Sequence, residues 1–171
     1  MPHPLVQQLR FTRSEFRRAL DGVPPEDAAK RMPPLNSLAW SVGHLAWQEQ
    51  RYFLTFERGV TPFPEIETAF RSGAPATTPD LSETLPAWET ITHQSDPWLD
   101  TLTTERLTRP YTQPDGNPGR TCVGNLLQRV IYHYWYHLGE NMALRKMLGH
   151  GPLPQFVGDL DEQAPYTPES G

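Results

Sequence analysis

The sequence predicts an all-α protein, a four-helix bundle with long connecting loops. The first observation is the placement of the 19 prolines among 171 residues, because none lies between Pro34 and Pro62 or between Pro118 and Pro152. The second is that apolar residues recur at helical spacing in four segments, whereas no segment keeps the two-residue alternation of a half-buried strand. Five Trp, seven Phe and six Tyr can fill a core, and a chain of this length suits one domain.

The first two helices are predicted at about 4–20 and 36–58. Gly22, followed by two prolines, ends the first. The second begins after Asn36 or Ser37 as N-cap and stops before Gly59. Its apolar set is wide, so we expect it to contact neighbours on more than one side.

The third and fourth helices are predicted at about 80–103 and 122–148. In the third, Pro97 is expected to kink or break the helix, because a proline inside a helix removes a hydrogen bond and clashes with the preceding turn. Thr121 is the expected N-cap of the fourth, and Gly149 ends it.

The remaining segments are predicted to be connections and a tail. Residues 60–79 form a long connection, which is typical of a lid or a crossover, and residues 108–119 form a second one. Residues 1–150 are expected to be the bundle domain. Residues 151–171 are acidic and proline-rich, so we expect a loosely packed C-terminal tail.

Composition narrows the function classes. The formal net charge is −5, which disfavours nucleic acid as a partner. No apolar run approaches the length of a membrane span. No export signal is visible at the N-terminus, and a single cysteine fits a reducing compartment, so a cytoplasmic location is expected. One cysteine also excludes a cysteine-rich zinc site, which leaves histidines and carboxylates as metal ligands.

Histidines provide the strongest functional signal. His133 and His137 are four residues apart in the fourth helix, so both imidazoles can reach one metal ion from the same helix face. The glutamate that follows the first histidine in zincin proteases is missing. A third ligand must come from elsewhere, and both His44 in the second helix and His93 in the third are candidates. Structural histidines without a metal remain the alternative.

Two motifs resemble those of a known family. Gly43-His44-Leu45-Ala-Trp-Gln-Glu49 in the second helix is similar to its G-H-[LI]-x-x-x-E pattern. His133-x3-His137-Leu-Gly-Glu140, continuing to Arg-Lys-Met-Leu-Gly149, is similar to its H-x3-H-x-G-[QE]…R-x-x-L-G segment. The family is the DinB/YfiT-like superfamily of metalloenzymes, and the resemblance covers the chain from about residue 5 to 149.

The resemblance implies a four-helix bundle of up-down-down-up connectivity, usually a homodimer. It also implies a divalent metal, nickel or zinc in most relatives and iron in some, bound by His44, His133 and His137. Some relatives are transferases that use a low-molecular-weight thiol such as bacillithiol or mycothiol. A metal-dependent enzyme acting on a small-molecule substrate, with thiol transfer to small electrophiles as one reaction, is therefore expected. The alternative is a non-catalytic, stress-associated dimer or a small-molecule binding module.

Four further residues have expected roles near these histidines. Glu140 follows His137 by three positions and could orient an imidazole or accept a proton. Trp40, one turn before His44 on its face, and Tyr134 are expected to line a pocket. Glu49 points away from the ligand face, and we expect it in an ion pair on the bundle surface or dimer face.

Overall fold

The structure is a computed structural model that describes residues 2–167, and it is mostly helical. Four long helical segments lie where the sequence predicts them. In chain order the elements are α1 (Pro4–Arg18), α2 (Pro25–Ala29), α3 (Leu38–Glu49), a π-helical segment (Gln50–Phe56), α4 (Pro64–Phe70), α5 (Leu81–Leu99), α6 (Thr104–Thr108), β1 (Pro110–Thr112), β2 (Pro118–Cys122), α7 (Val123–Met147) and α8 (Leu160–Gln163). The up-down-down-up order of the bundle stays a prediction.

Helix ends follow the local chemistry of the sequence. The Ser37 hydroxyl accepts a hydrogen bond from the Trp40 backbone N–H at 3.2 Å and caps α3. Gly59 and Gly149 adopt φ values of +67° and +81° just after their helices, a conformation that glycine tolerates best. These positions confirm the expected cap of the second helix and the expected stops of the second and fourth.

The second helical segment does not remain α-helical to its end. Residues 50–56 form a π-helical turn, an irregularity that often occurs at functional sites. The Gln50 side chain lies within this turn and holds the backbone of Phe63: its Nε2 donates to the Phe63 carbonyl, and its Oε1 accepts from the Phe63 N–H, each at 2.9 Å. The π turn thereby fixes the chain just before α4.

Helix α3 is the centre of the fold. All twelve of its residues are buried, because it packs against α5, α7 and α4, which explains the wide apolar set read from the sequence. Helix α1 packs on α7. Side chains that α3 and α7 direct at each other are therefore shielded from solvent on most sides.

Four predictions about local structure were wrong. A small antiparallel sheet pairs β1 with β2 in the region predicted as a connection, because strands of three and five residues are too short to show alternation. Thr121 lies in β2, and Cys122 is the N-cap of α7 without a side-chain cap. Helix α5 ends at Leu99, two residues after Pro97, and not near residue 103 as predicted. The predicted 60–79 connection contains α4, whose buried residues are Ile66 and Phe70.

Residues 151–167 follow the bundle and are mostly exposed. Three hydrogen bonds join them to α1: Gln8 Nε2 donates to the Ala164 carbonyl, Arg18 donates to the Gln155 carbonyl, and the Gly158 N–H donates to Glu15. Within residues 2–167, no helix has the length and apolar character needed to cross a membrane.

Candidate metal centre

Three histidines from α3 and α7 meet at one point. One ring nitrogen from each of His44, His133 and His137 lies within 4.8 Å of the other two. Nε2 of His133 and Nε2 of His137 are 3.0 Å apart, and the His44 ring meets those two rings edge-on at centroid distances of 4.9 and 5.2 Å. Imidazole nitrogens bound to one tetrahedral zinc ion lie about 3.4 Å apart, so the three residues are positioned to hold a metal ion.

The other nitrogen of each imidazole, Nδ1, faces a hydrogen-bond acceptor. His44 Nδ1 is 2.6 Å from the Phe70 carbonyl oxygen, His133 Nδ1 is 2.9 Å from Gln48 Oε1, and His137 Nδ1 is 2.8 Å from Glu140 Oε2. Because these oxygens accept, each Nδ1 carries the proton and donates it. Each Nε2 of a neutral imidazole is then an unprotonated lone pair.

At neutral pH the three imidazoles are uncharged, so no second proton lies between the facing Nε2 atoms. Burial, together with the positive charge that neighbouring histidines would carry, lowers the pKa of His133 and of His137 to about 3. Burial also lowers the pKa of His44, against a smaller opposing effect of its bond to the Phe70 carbonyl. Lone pairs that face each other at 3.0 Å without a proton repel, and a cation between them removes that repulsion.

Two indole rings enclose His44. Trp40 stacks on the imidazole at a centroid distance of 4.9 Å and 17° between planes, and Trp47 stacks at 5.3 Å and 26°. Trp40 is one of the two residues predicted to line a pocket, and its ring lies against His44. Trp47 lies three residues after His44, so it reaches the same face of α3. Both indoles restrict rotation of the ring and keep water from it.

Glu140 lies at the partly exposed side of the site. Its side chain is 31% exposed, whereas that of His137 is 7% exposed. The Glu140 carboxylate also raises the pKa of the exposed Tyr136 phenol, which lies one turn earlier on α7. The carboxylate therefore lies between a buried imidazole and an exposed phenol.

The structure places Tyr134 in the core of the bundle. Its hydroxyl accepts from Trp88 and donates to Glu49 Oε1 at 2.7 Å, and its ring meets Phe16 edge-on at 5.2 Å. Glu49 is 0% exposed and pairs with Arg13. The prediction of a surface ion pair at Glu49 was thus right about the pairing and wrong about the surface.

The other histidines lie elsewhere. His93 is exposed on α5, His3 caps α1 by accepting from the Leu5 N–H, and His150 bonds to Asp27 at 2.9 Å. Among residues 2–167, the three-histidine set is the one group of metal-ligating side chains that meets this spacing. The sequence analysis missed Gln48 and Phe70. The position of Gln48, one turn after His44 on the same helix face, could have indicated a role at the site. Phe70 acts through its backbone carbonyl, which leaves no signal in the sequence.

Comparison with known proteins agrees with the geometry. A sequence model described as the DinB superfamily matches residues 8–140, which include all three histidines and Glu140. No curated protein matches the chain.

Proposed function

Because the chain belongs to the DinB superfamily, we propose that it is a metal-dependent enzyme whose divalent cation is bound by His44, His133 and His137. One observation carries the proposal: all three Nδ1 atoms are engaged by acceptors, so three Nε2 lone pairs converge. Such engagement of the outer nitrogen is the usual support for a metal-binding histidine.

The donor set favours particular metals. Neutral imidazoles suit zinc, nickel and iron, and we propose zinc or nickel as the resident ion, with iron as the third candidate. Three protein ligands leave at least one coordination position open, as in catalytic zinc sites. Since none of the three ligands is charged, the ion would keep its full positive charge and would acidify a coordinated thiol or water.

We propose thiol transfer to a small electrophile as the reaction. In such a transfer the sulfur forms a bond to an electrophilic carbon, and the leaving group departs with its bonding electron pair. The thiol proton passes to a base, for which we propose the Glu140 carboxylate. Its partial exposure beside buried His137 supports that assignment, and the indoles of Trp40 and Trp47 shield His44 from water.

A homodimer is also part of the proposal. One stripe of α7 presents Tyr132, Tyr136 and Met147, which are 67%, 62% and 54% exposed, and Gly139 and Ala143 lie exposed between them. Large apolar side chains grouped on one exposed face favour a protein partner. Light scattering of the purified protein tests the dimer, and a monomer mass at about 50 μM, where a dimer with a Kd of about 1 μM would be mostly assembled, contradicts it.

Metal analysis tests the central claim. Wild-type protein purified without chelator should carry about one metal ion per chain, as one three-histidine site requires. The variant His133→Ala should carry almost none, and the matched control His93→Ala, which removes an exposed histidine from α5, should match wild type. Equal metal content in wild type and His133→Ala, or none in wild type after zinc and nickel are supplied, overturns the proposal.

Activity then tests the reaction. The loaded enzyme is assayed with low-molecular-weight thiols against a panel of small electrophiles, and Glu140→Gln should lower the rate while keeping the metal. A wild-type enzyme that holds metal but consumes no thiol supports the non-catalytic binding module instead.

A further inference from the structure

Helix α4 supports the metal centre from outside the bundle. The acceptors for His133 and His137 are Gln48 and Glu140, which lie on α3 and α7 themselves. The acceptor for His44 is the carbonyl of Phe70, the last residue of α4. The orientation of one ligand therefore depends on whether this short helix is docked.

The docking of α4 depends on a glycine. A Cβ atom placed on Gly43 would lie 2.7–2.8 Å from three ring atoms of Phe70, closer than such atoms ever approach. Glycine inside a helix costs about 1 kcal/mol relative to alanine, and here it allows the Phe70 ring to rest on the α3 backbone. The same ring meets Trp40 edge-on at 6.3 Å, and Trp40 in turn stacks on His44.

Besides Phe70, α4 is held by its other buried residue, Ile66, and by polar contacts. Trp47 Nε1 donates to Glu67 Oε2 at 2.6 Å, and Gln50 holds the backbone of Phe63. Residues 58–61 and 71–73 on either side are exposed. A seven-residue helix with two buried side chains has low local stability, so the loss of either side chain affects how often the helix is docked.

We propose that Phe70 is a positioning residue of the metal centre and that α4 is a strap whose docking on Gly43 is coupled to metal binding. This inference rests on the proposed function. A cation on Nε2 draws electron density from the imidazole and makes its Nδ1–H a stronger donor to the Phe70 carbonyl. Because such coupling is reciprocal, metal binding stabilises the docked strap, and loosening the strap weakens metal binding.

The variant Gly43→Ala tests the coupling, since its added methyl displaces the Phe70 ring. Loss of support for one ligand typically weakens metal binding 10–100-fold, and we expect a loss in that range, measured by competition with a chromophoric zinc chelator. Gly151→Ala is the matched control: it adds the same methyl to a glycine beyond the end of α7 with no atom within 4 Å. It should bind zinc within about twofold of wild type, as expected for a surface substitution.

Two further measurements separate positioning from general damage. In the double variant Gly43→Ala/Phe70→Ala the clashing ring is gone, so the added methyl should have no further effect and zinc affinity should equal that of Phe70→Ala alone. Hydrogen exchange of residues 60–79 should slow when zinc binds to wild type and should not slow in Gly43→Ala. If Gly43→Ala does not fold, Phe70→Ala alone removes the ring and should also weaken zinc binding.

The outcomes distinguish the two proposals. Zinc affinity unchanged in Gly43→Ala, or unchanged exchange of residues 60–79 on zinc binding to wild type, overturns the strap and leaves the metal centre intact. A wild type that binds no metal overturns the proposed function and the strap with it.

Discussion

The substitution Glu49→Gln should destabilise the fold strongly. Glu49 Oε1 accepts from Arg13 Nε at 2.9 Å and from the Tyr134 hydroxyl at 2.7 Å, and Oε2 accepts from Arg13 Nη2. The Glu49 and Arg13 side chains are 0% and 7% exposed. Arg13 also donates to Ser95 at 2.9 Å and to Asp96 at 2.9 Å. The network therefore joins α1, α3, α5 and α7.

The magnitude follows from what glutamine cannot do. The glutamine amide keeps the shape of the carboxylate but removes its charge. The amide NH2 group then faces the Arg13 guanidinium, which can only donate, so no hydrogen bond forms between them. Removing one partner of a buried ion pair costs about 3–5 kcal/mol. For a chain of this size that loss lowers Tm by roughly 6–20 °C.

Thermal and urea unfolding of the metal-free protein measure the effect. The matched control is Glu89→Gln, which removes the carboxylate of an exposed pair: Glu89 and Arg17 are 51% and 45% exposed. Its cost should stay below about 1 kcal/mol, as is usual for surface pairs. If the free energy of unfolding of Glu49→Gln lies within about 1 kcal/mol of wild type, the buried pair is not a main support of the bundle.

Two further predictions concern pH and the hairpin. In the metal-free protein, His133 and His137 have folded-state pKa values of about 3, below the unfolded value near 6.5, so only the unfolded chain gains protons there as pH falls. The free energy of unfolding should therefore decrease from about pH 6.5 towards pH 3. In unfolding experiments at several pH values, His137→Gln should make that decrease less steep, and an unchanged slope contradicts the lowered histidine pKa values. Glu57, whose side chain is 3% exposed, pairs with Arg106 and accepts from the Thr112 N–H at 2.9 Å. Glu57→Gln should therefore lower the free energy of unfolding by about 1.5–3 kcal/mol and speed hydrogen exchange in β1 without changing zinc affinity. Unaltered exchange in β1 would show that Glu57 does not support the hairpin.

Much of the candidate site can be predicted because helix periodicity is a local property. The proline-free windows locate α3 and α7 correctly, and the four-residue spacing of His133 and His137 places both on one face. The choice of the third histidine is different. Spacing leaves His44 and His93 open, the family motif selects His44, and the structure brings His44 to the pair while it leaves His93 exposed.

The errors share a physical cause. Glu49 looked like a surface residue because a carboxylate is rarely buried unless it is paired, and its partner Arg13 lies 36 positions away. The hairpin and α4 are short elements whose stability comes from contacts with distant segments, which short-range pattern cannot reveal.

The sequence by itself determined the long helices, the histidine pair and the absence of a cysteine metal site, since these depend on residue type and on spacing within one helix. Only the tertiary structure decided which acceptors orient His44 and His133, because those contacts join residues as far apart as Gln48 and His133. It also decided that Gly43 lies under Phe70. A glycine in a helical motif indicates that another group approaches the helix backbone closely, but only the tertiary structure shows which group that is.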